Sequence, residues 1–231
     1  MSEKPTALIM GASRGLGLGL SREYLRRGWN VVATVRNGIG QTALHELKRA
    51  SNGLEIEFVD VTKSDEIDEL CARCKNRKFD LLFVNAGVTN DPQATIGEVS
   101  TEEFVRVVVT NALSPMRVVE RMLEYLRLDG MVAVMSPELG SIANNSTGGW
   151  EVYRGSRAAL NALMQCLVAR YAGDSRTFYV VAPRWVRTDM GGSEALLDIE
   201  TSIPRFVEAL KSRRGTRGLI FANYPNKILP W

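Results

Sequence analysis

"LIMGASRGLGLGL", residues 8–20, runs from a short apolar stretch into a glycine-rich turn and then into what reads as a helix. Gly11, Gly15 and Gly17 stand in the spacing G-x-x-x-G-x-G, which differs from the G-x-G-x-x-G of many dinucleotide sites. Glycines at a strand-to-helix turn let the backbone approach a pyrophosphate, which the unpaired N–H groups and dipole of the helix N-terminus then stabilise. The same glycines would also serve a merely tight turn, so the reading depends on what surrounds them.

Working outward, "TALIM" (6–10), "NVVATV" (30–35), "LEIEFV" (54–59), "FDLLFV" (79–84), "GMVAVM" (130–135) and "TFYVVA" (177–182) are short apolar runs of the kind that form strands buried on both faces. Longer amphipathic stretches separate them, near 15–28, 40–51, 63–76, 101–127 and 151–171. A further helix near 201–213 and a short strand "GLIFA" (218–222) complete the series. Strand alternating with helix predicts an α/β, doubly wound parallel sheet of Rossmann type with helices on both faces, formed as a single domain over 1–231.

Composition narrows the function classes. With 45% hydrophobic and 24% charged residues the chain is that of an ordinary globular protein, and no apolar run approaches the roughly eighteen residues needed to span a bilayer. The start, "MSEKPTALIM", has no secretory pattern, which points to a cytoplasmic protein with no membrane partner. Three cysteines argue for free thiols in a reducing compartment. Cys71 and Cys74 form a C-x-x-C, but in "SDEIDELCARCKNRK" that spacing places them on neighbouring turns of a helix, with too few other ligands for zinc. A net charge of +3 is too small to imply a nucleic-acid partner, and "KSRRGTR" (211–217) reads as a solvated helix end. The one histidine, His45, lies in a peripheral helix, which leaves a histidine-based hydrolase little to work with.

The second strand ends in "ATVRNG". An acidic residue at that place holds the ribose 2′-hydroxyl of NAD; here Arg36 stands there, and Arg14 lies in the glycine loop itself. Two cations flanking one point suit a 2′-phosphate, so the expected cofactor is NADP, the bland alternative being two ordinary surface arginines.

Four stretches in order then carry a resemblance: "GASRGLG" (11–17), "VNAG" (84–87) after the fourth strand, Asn111 in the following helix, and the pair Ser141 and Tyr153 before "SRAALNAL". Over nearly its whole length the chain resembles the short-chain dehydrogenase/reductase family. The segment "GSIANNSTGGWEVYRGSRAALN" and the ending "WVRTDMGG…LPW" look especially like its C-factor (C-signal) branch, related to carbonyl reductases. The resemblance implies cofactor contacts from Gly11, Ser13, Arg14, Gly15, Leu16 and Gly17 in the loop, with Arg36 beyond it. It also implies that Asp60 and Val61 face the adenine, that Asn85, Ala86 and Gly87 support the adenine ribose side, and that Pro183 and Thr188 lie by the nicotinamide. Asp60, Asn85 and Thr188 are also ordinary turn or capping residues when taken singly.

By the same resemblance Tyr153 supplies the hydroxyl proton, Ser141 holds the substrate oxygen, and Asn111 takes part in proton relay. A phenol titrates near 10, so acid–base work near neutrality calls for a fixed cation beside it. The family places lysine four residues after the tyrosine, where this chain has Arg157. Arginine keeps the charge and can reach ribose hydroxyls with its fork, yet it is longer and planar, and the swap is not conservative at a shaped site. A second departure is Arg184 after Pro183, in "APRWVRTDM", where relatives commonly have glycine: turned inward it crowds the ring or pairs with an anionic substrate, turned outward it means nothing. Met10 replaces the usual threonine before the glycine loop.

Two functions stay open. One is an NADPH-dependent reductase of a ketone or aldehyde; the other is a nucleotide-binding regulatory or signalling protein, or a redox-neutral homologue, with dehydrogenase chemistry weakened by Arg157 and Arg184. The short loop "GGSEALLDIETS" (191–202) suggests an open pocket for a small-molecule carbonyl substrate. The family's long central helices, and the broad apolar surface of "AALNALMQCLVA", point to a homodimer or homotetramer.

Overall fold

The computed structural model describes residues 3–36 and 40–231. Seven strands form one sheet: β1 (Thr6–Met10), β2 (Asn30–Val35), β3 (Leu54–Phe58), β4 (Phe79–Val84), β5 (Leu126–Met135), β6 (Thr177–Ala182) and β7 (Leu219–Asn223). Their order is β3-β2-β1-β4-β5-β6-β7, and every pairing is parallel. Seven α-helices connect them: α1 (Gly15–Arg26), α2 (Ala43–Arg49), α3 (Ser64–Cys74), α4 (Thr101–Val108), α5 (Ser114–Met122), α6 (Glu151–Arg170) and α7 (Ile199–Arg213).

The period of two in each strand decides which helices go where. Leu8, Met10, Leu82, Val84, Val132 and Val134 point to one face and pack against Ile67, Val119, Leu160 and Met164 of α3, α5 and α6. Ala7, Ile9, Leu81, Phe83 and Ala133 point to the other, against Leu20, Leu44, Ile203 and Phe206 of α1, α2 and α7. Phe83 meets Phe206 edge to face, with ring centres 5.7 Å apart. A Cβ on Gly19 would lie 2.9 Å from both Ile199 and Ile203, so that glycine permits the close approach of α1 to α7.

Several boundaries differ from the sequence reading. The helix expected over 101–127 is interrupted by a π turn at Val109–Leu113, restarts with Pro115 in its first turn, and ends at Met122. A short 3₁₀ turn, Leu123–Tyr125, then leads into β5, which starts at Leu126, four residues before the apolar run "GMVAVM". A register shift between Phe79 and Leu81 where β4 pairs β5 accompanies that longer strand. The basic run at the end of α7 is tied down: Arg213 donates to Asn226, and Arg214 to Asp80 and Asp129. The expected helix over 40–51 is shorter, 43–49, and its approach through 37–39 lies outside the described residues. Cys71 and Cys74 are free thiols along α3, and burial pushes the Cys74 thiol up to about 11. No helix among the described residues is long and apolar enough to cross a membrane.

Candidate active site

Strand order reverses between β1 and β4, and a crevice opens at such a switch point, beyond the carboxyl ends of the strands. The loops after β1, β2, β3, β4, β5 and β6 carry Gly11, Arg36, Asp60, Asn85, Ser141 and Thr188 in turn, each beyond the carboxyl end of its strand.

The glycine loop is shaped first by the protein itself. Gly11 has φ +83°, and a Cβ there would lie 2.9 Å from the Ala86 backbone; one on Gly17 would lie 2.2 Å from the Gly11 carbonyl oxygen. Asn85 Nδ2 donates to the Gly11 carbonyl at 2.8 Å, and the Asn85 and Ala86 amides both donate to Met10. Thr34 Oγ1 accepts from the Gly11 amide at 3.0 Å, anchoring the loop from β2. The helix that follows has no side-chain cap and no acidic residue in its first turn. Its N-terminal N–H groups and positive dipole end are thus left without an anion of the protein's own, as a phosphate site requires.

Arg14 pairs with Asp189 at 2.8 Å, both side chains largely exposed, so the loop after β6 reaches across to the glycine loop. Thr188 sits in the same segment, its methyl 3.5 Å from where a Cβ on Gly15 would be, and its hydroxyl accepts from the Gly191 amide. Ser13 and Leu16 are half-buried, Leu16 packing from the first turn of α1 against the core, and Pro183 is buried. Asp60 accepts from the hydroxyl and amide of Thr62. Burial pushes its carboxyl up, but those two hydrogen bonds and the nearby Arg36 charge outweigh that and hold it below the usual carboxylate range. The Val61 side chain belongs to the hydrophobic core, which leaves only its backbone for the crevice.

Tyr153 and Arg157 both lie on the inner face of α6 and are buried. The Arg157 guanidinium carbon stands over the Tyr153 ring, 5.3 Å from its centre. Nη1 donates to the Met135 carbonyl at 3.0 Å, Nε has no partner, and Nη2 lies 2.1 Å from where a Cβ on Gly87 would be. With 2% of its surface exposed, Arg157 has no carboxylate partner among the described residues. An unpaired buried cation is costly, and it fits a crevice built to receive hydroxyl or anionic oxygens.

Asn111 sits in the π turn, fully buried. Its Oδ1 accepts from the Val88 amide at 2.9 Å, while Nδ2 donates to the Val88 carbonyl and to Ser156 Oγ. The side chain thereby clamps the segment after β4 to α6. Arg184 is exposed and has φ +58°.

No hydrogen bond joins Ser141 to Tyr153 among the described residues. Ser141 is 1% exposed, and its hydroxyl donates to the Pro230 carbonyl at 2.7 Å and accepts from the Asn144 amide at 3.1 Å. The Tyr153 hydroxyl has Met190 Sδ as its polar neighbour at 3.9 Å, and the Trp150 ring packs 5.7 Å from the Tyr153 ring. In this structure the Ser141 proton goes to the Pro230 carbonyl. Met190, Trp150 and Asp189 escaped the sequence reading because they arrive from loops with no pattern to mark them.

A parallel sheet with this crevice and this uncapped glycine-loop helix defines a dinucleotide-binding α/β protein. The chain belongs to the short-chain dehydrogenase family, whose signature matches residues 5–196. It is 32% identical over 154 residues to the C-signal protein of Myxococcus xanthus, an alignment covering 66% of this chain and 92% of the relative. Among solved structures it is similar to a short-chain dehydrogenase/reductase of Burkholderia multivorans with bound NADP, at 48% identity and TM-score 0.97, covering 99% of this chain and 100% of that one. A carbonyl reductase of Pseudomonas aeruginosa PAO1 in complex with NADP matches at 32% identity and TM-score 0.91, again over 99% and 100% of the two chains.

Proposed function

We propose that the protein is an NADPH-dependent reductase of a ketone or aldehyde, with Tyr153 as proton donor. The observation that carries this reading is the buried Arg157 guanidinium, without a carboxylate, over the Tyr153 ring and against Gly87. The NADP seen in the similar Burkholderia and Pseudomonas structures supports the cofactor. Bound in the crevice, the nicotinamide supplies the hydride. The N-terminus of α1 would hold the pyrophosphate, and Arg36 and Arg14 the 2′-phosphate, Arg14 leaving Asp189 to do so. Asp60 would face the adenine, Asn85 and Gly87 the ribose side, and Thr188 the carboxamide. Tyr153 gives its phenolic proton to the substrate oxygen, and the guanidinium over its ring offsets the negative charge left behind. Asn111 acts by holding Val88 and Ser156, and so the floor of the crevice.

Exposed Phe104, Val105, Leu113 and Leu163 on and between α4, α5 and α6 support the expected homo-oligomer. A second reading, a nucleotide-binding protein with weakened dehydrogenase chemistry, is favoured by the commitment of Ser141 to Pro230, since no hydroxyl among the described residues hydrogen-bonds the Tyr153 phenol. Steady-state NADPH oxidation with a panel of aldehydes and ketones, set beside calorimetry of cofactor binding, separates the two. The proposal expects Tyr153→Phe to abolish reduction with cofactor affinity unchanged; full turnover in that variant would refute the assigned donor.

A further inference from the structure

Met190 lies in the loop after β6, in a turn that the chain closes on itself. The Gly191 amide donates to Thr188 Oγ1 at 3.0 Å, the Gly192 amide to the Thr188 carbonyl at 2.9 Å, and Trp185 Nε1 to the Gly191 carbonyl at 2.7 Å. Held in this way, Met190 sets its Sδ 3.9 Å from the Tyr153 hydroxyl while 42% of its surface stays exposed. The six other methionines among the described residues, Met10, Met116, Met122, Met131, Met135 and Met164, are all buried.

A thioether is a weak acceptor, so at 3.9 Å the phenol keeps a proton that it can give elsewhere. A sulfoxide differs, because oxidation turns the apolar sulfur into a polar group whose oxygen accepts hydrogen bonds. One sulfur–oxygen bond followed by an O–H···O hydrogen bond of about 2.7 Å, bent at the oxygen, spans the gap between Met190 and Tyr153. That oxygen stands where a carbonyl oxygen must stand to take the Tyr153 proton.

We propose that Met190 is an oxidation site for hydrogen peroxide, and that its sulfoxide takes the Tyr153 proton in place of a substrate oxygen. Peroxide transfers one oxygen to a lone pair of Sδ: the O–O bond breaks, an S–O bond forms and sulfur gives up two electrons. The proton on the transferred oxygen passes to the departing one, which leaves as water. Methionine sulfoxide reductases return the sulfoxide to the thioether, so the device is a reversible peroxide switch. Its effect on turnover rests on Tyr153 being the proton donor; the modification and its hydrogen bond do not.

Hydrogen peroxide applied to the full chain, followed by peptide mass mapping, tests the first half. Met190 should gain oxygen at least about tenfold faster than any of the six buried methionines, and parity with them would overturn the proposal. Melting temperatures of wild type and Tyr153→Phe, each before and after oxidation, test the second half. Oxidation should lower the value about 2–4 °C more in Tyr153→Phe than in wild type, the worth of one hydrogen bond to the sulfoxide. Equal losses, with Met190 fully oxidised in both proteins, would overturn the bond. Where untreated wild type reduces carbonyl compounds, that turnover should fall in step with Met190 oxidation and return on treatment with a methionine sulfoxide reductase. Met190→Leu, which retains the Cys71 and Cys166 thiols, should keep its own rate under the same peroxide; loss of that rate would move the sensitivity to a thiol and overturn the switch. Absence of carbonyl reduction in the untreated protein would instead refute the reading of Tyr153, with the mapping and melting results still deciding the modification.

Discussion

Replacing Gly87 by alanine would set a methyl carbon 2.1 Å from Nη2 of Arg157, 3.2 Å from its Cζ and 3.2 Å from Asn111 Oδ1. Ordinary contact needs about 3.5 Å, so something must move by roughly 1.4 Å. The end of an arginine is usually free to give way, but this one is confined. Its Nη1 is bound to the Met135 carbonyl, its Cβ lies 3.0 Å from where a side chain on Gly140 would start, and the Tyr153 ring lies beneath it. Overpacking of this kind costs about 1–3 kcal/mol, and loss of a charged hydrogen bond about as much again. A total on the order of 3 kcal/mol lowers the melting temperature of a chain this size by roughly 6–12 °C. Because the displaced group is the cation facing the crevice, NADPH affinity should fall with it. Arg157→Lys removes Nη2, so in Gly87→Ala/Arg157→Lys the second change should recover at least about 1 kcal/mol of the damage of the first. Thermal denaturation and calorimetry on the four proteins measure both terms. A Gly87→Ala protein with wild-type melting temperature and affinity, and additive effects in the double variant, would refute this account of how Arg157 is held.

Arg36→Asp should reverse a preference for NADPH over NADH, since the acid would repel the 2′-phosphate and offer the 2′-hydroxyl a partner; equal wild-type affinities for both cofactors by calorimetry would remove the assignment. Arg184→Gly should raise the melting temperature, because φ +58° costs an arginine about 1 kcal/mol that glycine avoids, and an unchanged or lower value counts against strain at that residue. Hydrogen bonds from Arg26, with Arg27 adding to them against the effect of burial, hold the Glu23 carboxyl down to about 2 from 4.5. With a folded value below the unfolded one, the group's contribution is complete above about pH 4.5 and is lost as pH falls towards 2; after allowance for screening at exposed Arg26 it is about 2 kcal/mol. Urea unfolding of wild type and Glu23→Gln across that range should therefore converge at low pH, and curves that stay parallel would contradict it.

Much of the sheet was legible because each strand is a short apolar run buried on both faces, and "LIMGASRGLGLGL" supplied the switch-point loop as well. The break at Val109–Leu113 was not, since weak helix formers such as Val109, Thr110 and Asn111 also occur in unbroken helices, and the π turn is accompanied by long-range bonds from Asn111 to Val88 and Ser156. The pair Tyr153 and Arg157 was readable from helical spacing, but the unpaired state of the guanidinium depends on what β4 and β5 bring beside it. The Ser141 contact with Pro230 was not legible for the same reason: nothing in the chain near it announces a partner some ninety positions later. Thr188 lies beside Gly15 across the glycine loop, a neighbour that no local pattern in the sequence marks.

The central claim is that the Tyr153 phenol, with Arg157 over its ring, completes carbonyl reduction by NADPH. Single-turnover oxidation of enzyme-bound NADPH, mixed rapidly with aldehydes and ketones, tests it most directly. The account predicts a slow, measurable hydride transfer in wild type, a faster one in Arg157→Lys, and almost none in Arg157→Ala or Tyr153→Phe. Tight binding of NADPH with no carbonyl able to oxidise it, in wild type and in Arg157→Lys alike, would contradict that claim and leave the nucleotide-binding, non-reducing reading in its place.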